Sequence, residues 1–404
     1  MTYKSQYLQT LARRGYIHQL TDPGAIDAIA GTPGLVAYVG FDLTGPSLHV
    51  GHLLSIMMLR RLQQHGGKPI ALMGGGTTRV GDPSGKDSAR QMLDEATIAA
   101  NKASIKRVFE RFLTFGDGPT DAIMADNADW LDSLNYIDFL RDYGRHFSVN
   151  RMLSMDSVKL RLDRDQPLSF IEFNYMVLQS YDFVELNRRL GCRMQMGGSD
   201  QWGNITMGID LGRRVLGAEL YGLTTPLITN ADGSKMGKTA SGAVWLNAEQ
   251  LPDWDYWQFW RNVDDRDVGR FLRLFTDMPD DEIARLETLE GAEINAAKVA
   301  LANAATALCR GAKAAVAAEA TATATFADGG AGEGLPRVAV SGALPLADAL
   351  VATGLAASRG EARRKLAENA VRVDGEIATD PAALVAAPAR LSLGRKRHAL
   401  LVAG

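Results

Sequence analysis

Two short motifs in this chain carry side-chain types suited to chemistry at phosphorus. The first is Tyr38-Val39-Gly40-Phe41-Asp42-Leu43-Thr44-Gly45-Pro46-Ser47-Leu48-His49-Val50-Gly51-His52. An apolar run over residues 35–39 predicts a buried strand, and a Gly/Pro-containing turn follows it. His49, Gly51 and His52 then open an amphipathic helix through Leu54, Met57, Met58 and Leu62. A strand, a glycine-bearing turn and a helix N-terminus together form an anion site, because free N–H groups and the helix dipole both favour negative charge there. Two imidazoles one helical turn apart, beside a glycine that permits close approach, point to a bound nucleotide. A His-x-x-His pair is also a metal-ligand spacing, but no third ligand accompanies it, so no metal site is expected. The second motif is Gly233-Ser234-Lys235-Met236-Gly237-Lys238-Thr239, in which two lysines flank a glycine within a Gly/Ser/Thr/Asn-rich loop. Alone, such a run reads as an ordinary solvated loop. Paired with the first motif, its ammonium groups can close on phosphates.

These side chains need a scaffold, and the apolar pattern supplies one. Strands are predicted over 35–39, 69–73, 122–124, 194–196 and 223–228. Helices are predicted over 53–64, 97–112, 136–146, 170–190 and 202–216. The alternation implies an α/β, Rossmann-like parallel sheet with helices on both faces. At 404 residues the chain exceeds one ordinary core. The expected division is a catalytic domain over 1–232 with a helical insert at about 85–190, a lysine loop over 233–246, an α-helical domain over 247–325, a linker over 326–343, and a small α+β module over 344–404. The linker is placed where four glycines fall within residues 326–334. Hydrophobic content of 46%, charged content of 23% and a net charge of -3 are those of a soluble globular protein. Two cysteines make no disulfide framework, and a cytoplasmic location is expected. No apolar run is long enough for a membrane span, and residues 1–15 do not read as a signal peptide.

In the last module, Ser358-Arg359-Gly360-Glu361-Ala362-Arg363-Arg364-Lys365 predicts a helix with Ser358 as N-cap. Val371-Arg372-Val373-Asp374-Gly375-Glu376 predicts a strand running into an Asp-Gly turn. Arg395, Lys396 and Arg397 add a second basic run. A single charge run is usually a solvated face. Two such runs in a module otherwise made of Ala, Leu and Val form an electrostatic footprint for RNA phosphates.

Together the two chemical motifs resemble the "HIGH" and "KMSKS" signatures of class I aminoacyl-tRNA synthetases. Gly40-Phe41-Asp42, Gly81-Asp82-Pro83-Ser84-Gly85-Lys86, Asn127-Ala128-Asp129-Trp130, residues 175–183 and Gly197-Gly198-Ser199-Asp200-Gln201-Trp202-Gly203-Asn204 are similar to the bacterial tyrosyl family. The resemblance spans essentially the whole chain. The last module resembles the small RNA-binding module first named in ribosomal protein S-four. Val50 and the Met236-Gly237-Lys238-Thr239 segment depart slightly from the signatures, and residues 81–86 fail the Walker pattern because Asp87 follows Lys86.

The resemblance implies a tyrosine–tRNA ligase activity, with tyrosyl-adenylate formed from L-tyrosine and MgATP before transfer to tRNA(Tyr). It assigns the substrate phenol to Tyr38 and Asp182, and the α-ammonium to Asp82, Tyr175 and Gln179. Tyr175, Gln179 and Asp182 fall at i, i+4 and i+7, on one helix face, though Phe173, Val177 and Tyr181 beside them also read as a core stripe. Adenylate formation moves no proton at the reacting atoms, so Thr44, His49, His52, Lys235 and Lys238 are expected to stabilise phosphoryl charge. Gly40, Asp42, His49, Gly51, His52, Asp200, Gln201 and Lys238 are expected against ATP, with Gly51 leaving room for adenine. Arg359, Arg363, Arg364, Lys365, Arg395, Lys396 and Arg397 are expected to bind tRNA. No tightly bound cofactor is implied beyond the magnesium of MgATP. A homodimer is implied, with the helical insert as interface. A tryptophanyl enzyme and a catalytically silent RNA-binding paralogue are the alternatives.

Overall fold

The computed structural model describes residues 2–82, 93–234, 236–239, 242–327, 335–394 and 397–404. The chain divides into two compact units, one of residues 1–237, 245–250 and 264–288, the other of 238–244, 251–263 and 289–404.

The first unit begins α1 (Gln6–Arg14), β1 (Gln19–Leu20), α2 (Pro23–Ala30), β2 (Val36–Phe41), α3 (Val50–Gln64), β3 (Lys68–Met73), α4 (Glu95–Phe112) and β4 (Ile123–Asp126). Helices α5 (Ala128–Leu131), α6 (Tyr136–Asp142), α7 (Val149–Leu153), α8 (Asp156–Asp163) and α9 (Phe170–Leu190) come next, then β5 (Met194–Gly198), α10 (Trp202–Leu216) and β6 (Tyr221–Thr225). The sheet order is β1-β6-β5-β2-β3-β4. All neighbours are parallel except β1, which pairs antiparallel with β6. The chain builds outward from β2 through β3 to β4, then returns to the other side of β2 with β5 and β6. Open α/β sheets bind ligands at the carboxyl ends of strands flanking such a reversal, here β2 and β5.

Each expected strand and helix is present, with boundary changes that have local causes. The strand expected over 223–228 starts earlier and ends at Thr225, because Pro226 has no N–H to donate to the ladder. The helix expected over 136–146 stops at Asp142, and a 3-10 turn follows over Gly144–His146. The two-residue β1 is too short to leave a periodic signal. Within the stretch expected as an insert at 85–190, α4 and β4 belong to the sheet layer. The wholly helical part runs from α5 to α9.

Side chains alternate across β2. Tyr38 meets Phe183 of α9 edge-on at 5.3 Å on one face, and Phe41 meets Phe109 of α4 at 4.8 Å on the other. The α9 face is closed by a core that includes Tyr38, Trp130, Met176, Tyr181, Phe183 and Met207.

In the second unit, helices Asp253–Arg261, Ile294–Arg310 and Ala312–Ala327 precede a five-stranded sheet. That sheet packs with helices Leu346–Ala352 and Arg359–Ala367 around its own core, including Leu350, Leu366, Val371, Leu391 and Leu401. Two local expectations hold there. Ser358 caps the helix by accepting from Glu361 N at 3.2 Å. Asp374 and Gly375 take φ of 51° and 95°, the left-handed pair of a tight hairpin turn.

Candidate functional site

Residues 38, 40 and 42 share one face of β2 and its extension, since side chains alternate. Helix α9 lies against that face. Tyr175 Oη donates to Asp42 Oδ1 at 3.4 Å, and seven residues on, Asp182 lies close enough to Tyr38 to perturb its hydroxyl. Between these two contacts sits Gly40, exposed, where an added Cβ would meet nothing within 4 Å. Gly40 thus lies between two pairs, Tyr38 with Asp182 and Asp42 with Tyr175.

The Tyr38–Asp182 end is buried and polar. Tyr38 is 1% exposed, and its Oη has no hydrogen-bond partner among the described residues. Burial and the neighbouring Asp182 carboxyl hold the Tyr38 hydroxyl well above its ordinary range, so it stays protonated and available as a donor. Asp182 is 2% exposed. It accepts from Asn127 Nδ2 at 3.0 Å and Trp130 Nε1 at 2.7 Å. Burial pushes its carboxyl up to about 7 against the pull of those two donors, and the Asp126 and Glu185 carboxylates push the same way. Gln195, opposite Tyr38 in the β2–β5 register, is 2% exposed with an unpaired Oε1.

Beyond the carboxyl ends of β3 and β5, four amide and carboxyl groups join in one network. Gln201 Nε2 donates to Asp82 Oδ2 at 3.0 Å, and Gln179 Nε2 donates to Gln201 Oε1 at 3.2 Å. Asn204 Nδ2 donates to Gln179 Oε1 at 2.9 Å. Gln201 thus links Asp82 to Gln179, while Tyr175, one helical turn before Gln179 on α9, pairs with Asp42. Gln201 and the exposed Asp200 lie in a 3-10 turn at the end of β5.

The start of α3 differs from a bare anion-binding N-terminus. His49 is its N-cap. Its Nδ1 accepts from Gly51 N at 3.0 Å, while His52 Nδ1 accepts from His49 N at 3.2 Å. The two rings sit 4.1 Å apart. Because Nδ1 is the acceptor in each ring, Nε2 is the N–H donor. The imidazoles therefore take up two of the helix-start N–H groups and present their own in exchange. A Cβ on Gly51 would lie 2.6 Å from His49 Cε1 and 3.3 Å from the Met236 carbonyl oxygen. Gly237, at φ +96°, stands over the same point, since its Cβ would lie 2.8 Å from Gly51 N. Residues 245–247, at the end of the lysine loop, strap the turn before α3. Leu246 N donates to Leu48 O at 2.8 Å, Asn247 N donates to Ser47 Oγ at 3.2 Å, and the Trp245 ring lies 6.1 Å from His49. Thr44 is exposed in that turn.

Lys235, the Lys238 side chain, Arg395, Lys396 and residues 83–86 of the run that fails the Walker pattern lie outside the described residues. In the second unit, Arg363 and Arg364 are exposed on the Arg359–Ala367 helix. Arg359 pairs with Asp348, Lys365 pairs with Glu368 at 2.8 Å, and Arg397 donates to Gly354 O at 2.6 Å.

The site also contains residues to which sequence reasoning gave no role. Asn127 holds Asp182 while its Oδ1 accepts from Gly76 N at 2.8 Å, so it ties the end of β3 to α9. The available signal was a short polar residue at a strand end, followed by a Trp whose N–H needs a partner once buried. Asn204 and Gln195 carry no signal of that kind.

A parallel run of strands that reverses at β2, an imidazole-capped helix at that reversal and the Met236-Gly237 segment against the helix start are the frame of a class I aminoacyl-tRNA synthetase catalytic domain. The family described as "tRNA synthetases class I (W and Y)" matches residues 32–327, and "Tyrosine--tRNA ligase SYY-like C-terminal domain" matches residues 328–394. The chain is 64% identical to the tyrosine–tRNA ligase of Novosphingobium aromaticivorans, over 99% of this chain and 98% of that one. It is 61% identical to that of Zymomonas mobilis, over 100% and 99%. A truncated mitochondrial tyrosyl-tRNA synthetase from Coccidioides posadasii superposes with a TM-score of 0.68 at 31% identity, covering 78% of this chain and 91% of that one. The chain belongs to the tyrosine–tRNA ligase family.

Proposed function

We propose that this enzyme activates L-tyrosine with ATP, releasing pyrophosphate, and then transfers tyrosine from tyrosyl-adenylate to the 3′ end of tRNA(Tyr). The observation that carries the choice of amino acid is the Tyr38 hydroxyl, buried and unpaired beside Asp182. Leaving a buried polar group unpaired costs about 1–3 kcal/mol. A substrate phenol that accepts from Tyr38 and donates to Asp182 satisfies both groups. Phenylalanine leaves the Tyr38 hydroxyl unpaired, and the indole N–H of tryptophan has no lone pair to accept with. Rejection of phenylalanine by such a site is roughly 10⁴–10⁵, a magnitude that comes from a tyrosyl enzyme itself rather than from this geometry. Seven helical residues rise roughly 10 Å, the scale of an aromatic amino acid from ring hydroxyl to ammonium. The ammonium then falls among Tyr175, Gln179 and Asp82, all acceptors.

The substrate carboxylate attacks the α-phosphorus and pyrophosphate leaves, with no proton transferred at the reacting atoms. Rate comes from positioning and charge stabilisation. His49 and His52 supply Nε2–H donors, Thr44 a hydroxyl, and Lys235 and Lys238 cationic groups for the departing phosphates. Gly40, Asp42, Gly51, Asp200 and Gln201 contact the nucleotide, and magnesium enters with ATP as part of the substrate. The basic residues Arg359, Arg363, Arg364, Lys365, Arg395, Lys396 and Arg397 bind tRNA phosphates. A homodimer is supported by the apolar side chains that the helical stretch leaves in water, among them Tyr136 at 60%, Ile137 at 68%, Val149 at 58% and Phe170 at 72% exposure. Among the described residues no helix is long and apolar enough to cross a membrane, and a cytoplasmic location fits this reading.

Pyrophosphate exchange into ATP, run with each standard amino acid, tests the assignment. Exchange with tyrosine alone is the expected result. Exchange with tryptophan and not tyrosine would give the tryptophanyl reading instead. RNA binding with no exchange at all would give the silent one.

A further inference from the structure

The loop that carries the lysines leaves the sheet after β6 and returns over the start of α3. Its first limb is held at two backbone atoms by side chains from far along the chain. Ala231 N donates to Asp267 Oδ2 at 2.8 Å, and Arg270 Nη2 donates to Thr229 O at 2.5 Å. Arg270 Nη2 also donates to Asp267 Oδ1 at 2.5 Å, so the two side chains form one bracket. Asp267 is 3% exposed while the Arg270 side chain is 38% exposed, so the carboxylate is the shielded half of a charge-assisted pair.

Backbone hydrogen bonds tie the bracketed limb to the far limb of the loop. Asn230 N donates to Ser234 O at 2.8 Å, Gly233 N donates to Asn230 O at 2.9 Å, and Met236 N donates to Ile228 O at 3.2 Å. A shift at residues 229–231 is therefore carried to Met236 and Gly237. There is little slack at the far limb, where Gly237 packs on Gly51 and the His49 ring.

Both sides of this arrangement rest on one frame. The bracket stands at the start of the helix Val268–Phe275, whose Phe271, Leu272, Leu274 and Phe275 are buried. Just past the end of that helix, Arg61 from the last turn of α3 donates to Asp277 Oδ1 at 2.7 Å, and Arg14 donates to Thr276 O at 3.0 Å. The helix that carries His49 and Gly51 is thus fixed to the element that holds the loop.

We propose that Asp267 and Arg270 are positioning residues that set the register of the Met236-Gly237 segment over the start of α3. Through it they set the rate of adenylate formation without touching substrate. This rests on the reading of the loop given under Proposed function. A bracket that merely stabilises the fold would lower melting temperature and tyrosine affinity along with activity. A positioning bracket lowers the turnover of adenylate formation and leaves tyrosine binding alone.

The test uses the full-length enzyme and its Asp267→Ala, Asp267→Asn and Arg270→Ala variants. Tyrosine-dependent pyrophosphate exchange, the equilibrium dissociation constant for tyrosine and the melting temperature are measured on each. Misplacement of reacting groups by about 1 Å can cost on the order of 100-fold. The expected result is a roughly 10- to 100-fold loss of kcat in Asp267→Ala and Arg270→Ala, with tyrosine affinity unchanged. A fourth variant combining Asp267→Ala with Arg270→Ala should lose less than the product of the two single losses, because both act through one bracket. Asp267→Asn keeps an acceptor for Ala231 N–H but loses the one for Arg270, so its loss of rate should be smaller than that of Asp267→Ala. Wild-type kcat in Asp267→Ala would overturn the proposal while leaving the reading of the site intact. So would a parallel loss of tyrosine affinity and exchange, or an Asp267→Asn defect equal to that of Asp267→Ala. Absence of exchange in the wild-type enzyme is the separate result that defeats the reading of the site itself.

Discussion

Trp130 Nε1 lies 2.7 Å from Asp182 Oδ1, donating across a stretch of 52 residues. It holds a buried carboxylate that would otherwise be protonated more firmly still, since burial already pushes that group up to about 7. The bond couples the helical stretch after β4 to the residue assigned to the substrate phenol.

That coupling gives a pH dependence. Ionised Asp182 is the better acceptor for a phenol, so tyrosine affinity should rise as pH passes about 7 and level off above it. Trp130→Phe removes a donor to the charged form, so the midpoint should move to higher pH. Equilibrium binding of tyrosine across pH ~5.5 to ~8.5 measures both, and an unmoved midpoint in Trp130→Phe contradicts the assignment. Stability has the opposite slope. The Asp182 carboxyl is raised in the folded state from its ordinary 3.8, so the folded chain binds more protons between those values. The contribution of this group is fully present below about 3.8 and is lost as pH rises towards about 7. Asp182→Asn should remove that part of the pH–stability slope and weaken tyrosine binding far more than ATP binding.

Gly237→Ala should impair adenylate formation through geometry alone. Its φ of +96° disfavours any side chain, and the new Cβ would fall 2.8 Å from Gly51 N and 2.9 Å from His49 Nδ1. The left-handed backbone alone costs roughly 1–2 kcal/mol, and the contact forces the segment off the helix start. A single-turnover assay should show adenylate formation slowed by about 10-fold or more, with tyrosine affinity within error of wild type. Normal single-turnover rates would mean that this packing is absent during the reaction.

Arg363 and Arg364 are both exposed on one helix of the C-terminal module. Changing both to Ala should weaken tRNA binding and flatten its salt dependence, by about one unit of slope for each phosphate that is no longer neutralised. Tyrosine-dependent pyrophosphate exchange should not change. Equal salt slopes for the wild type and the double variant would remove these two residues from the RNA surface.

Much of this was legible in the linear chain, and particular residues show why. The alternation of apolar runs located β2, β3, β5, α3, α9 and α10, because periodicity reports which face is buried. The spacing of Tyr175, Gln179 and Asp182 placed them on one face of α9, since a helix repeats every 3.6 residues. The Asp-Gly turn at 374–375 and the Ser358 cap were readable because they depend on one or two residues.

The remainder depends on contacts between distant segments, which leave no local pattern. The strand order that sets β5 beside β2 came from the fold, and with it the pairing of Tyr38 with Gln195. So did the donors to Asp182 from Asn127 and Trp130, and the grip of Asp267 on Ala231. The imidazoles were visible as residues, but their use as caps for their own helix was not, because a ring torsion decides whether Nδ1 faces the chain or the solvent. Sequence alone determined the kinds of groups in this site and the elements that carry them. Tertiary structure decided which of those groups are buried, which are satisfied and which are left wanting a partner. Burial and pairing are properties of the packed chain, and the unpaired Tyr38 hydroxyl beside Asp182 exists only once β2 and α9 have come together.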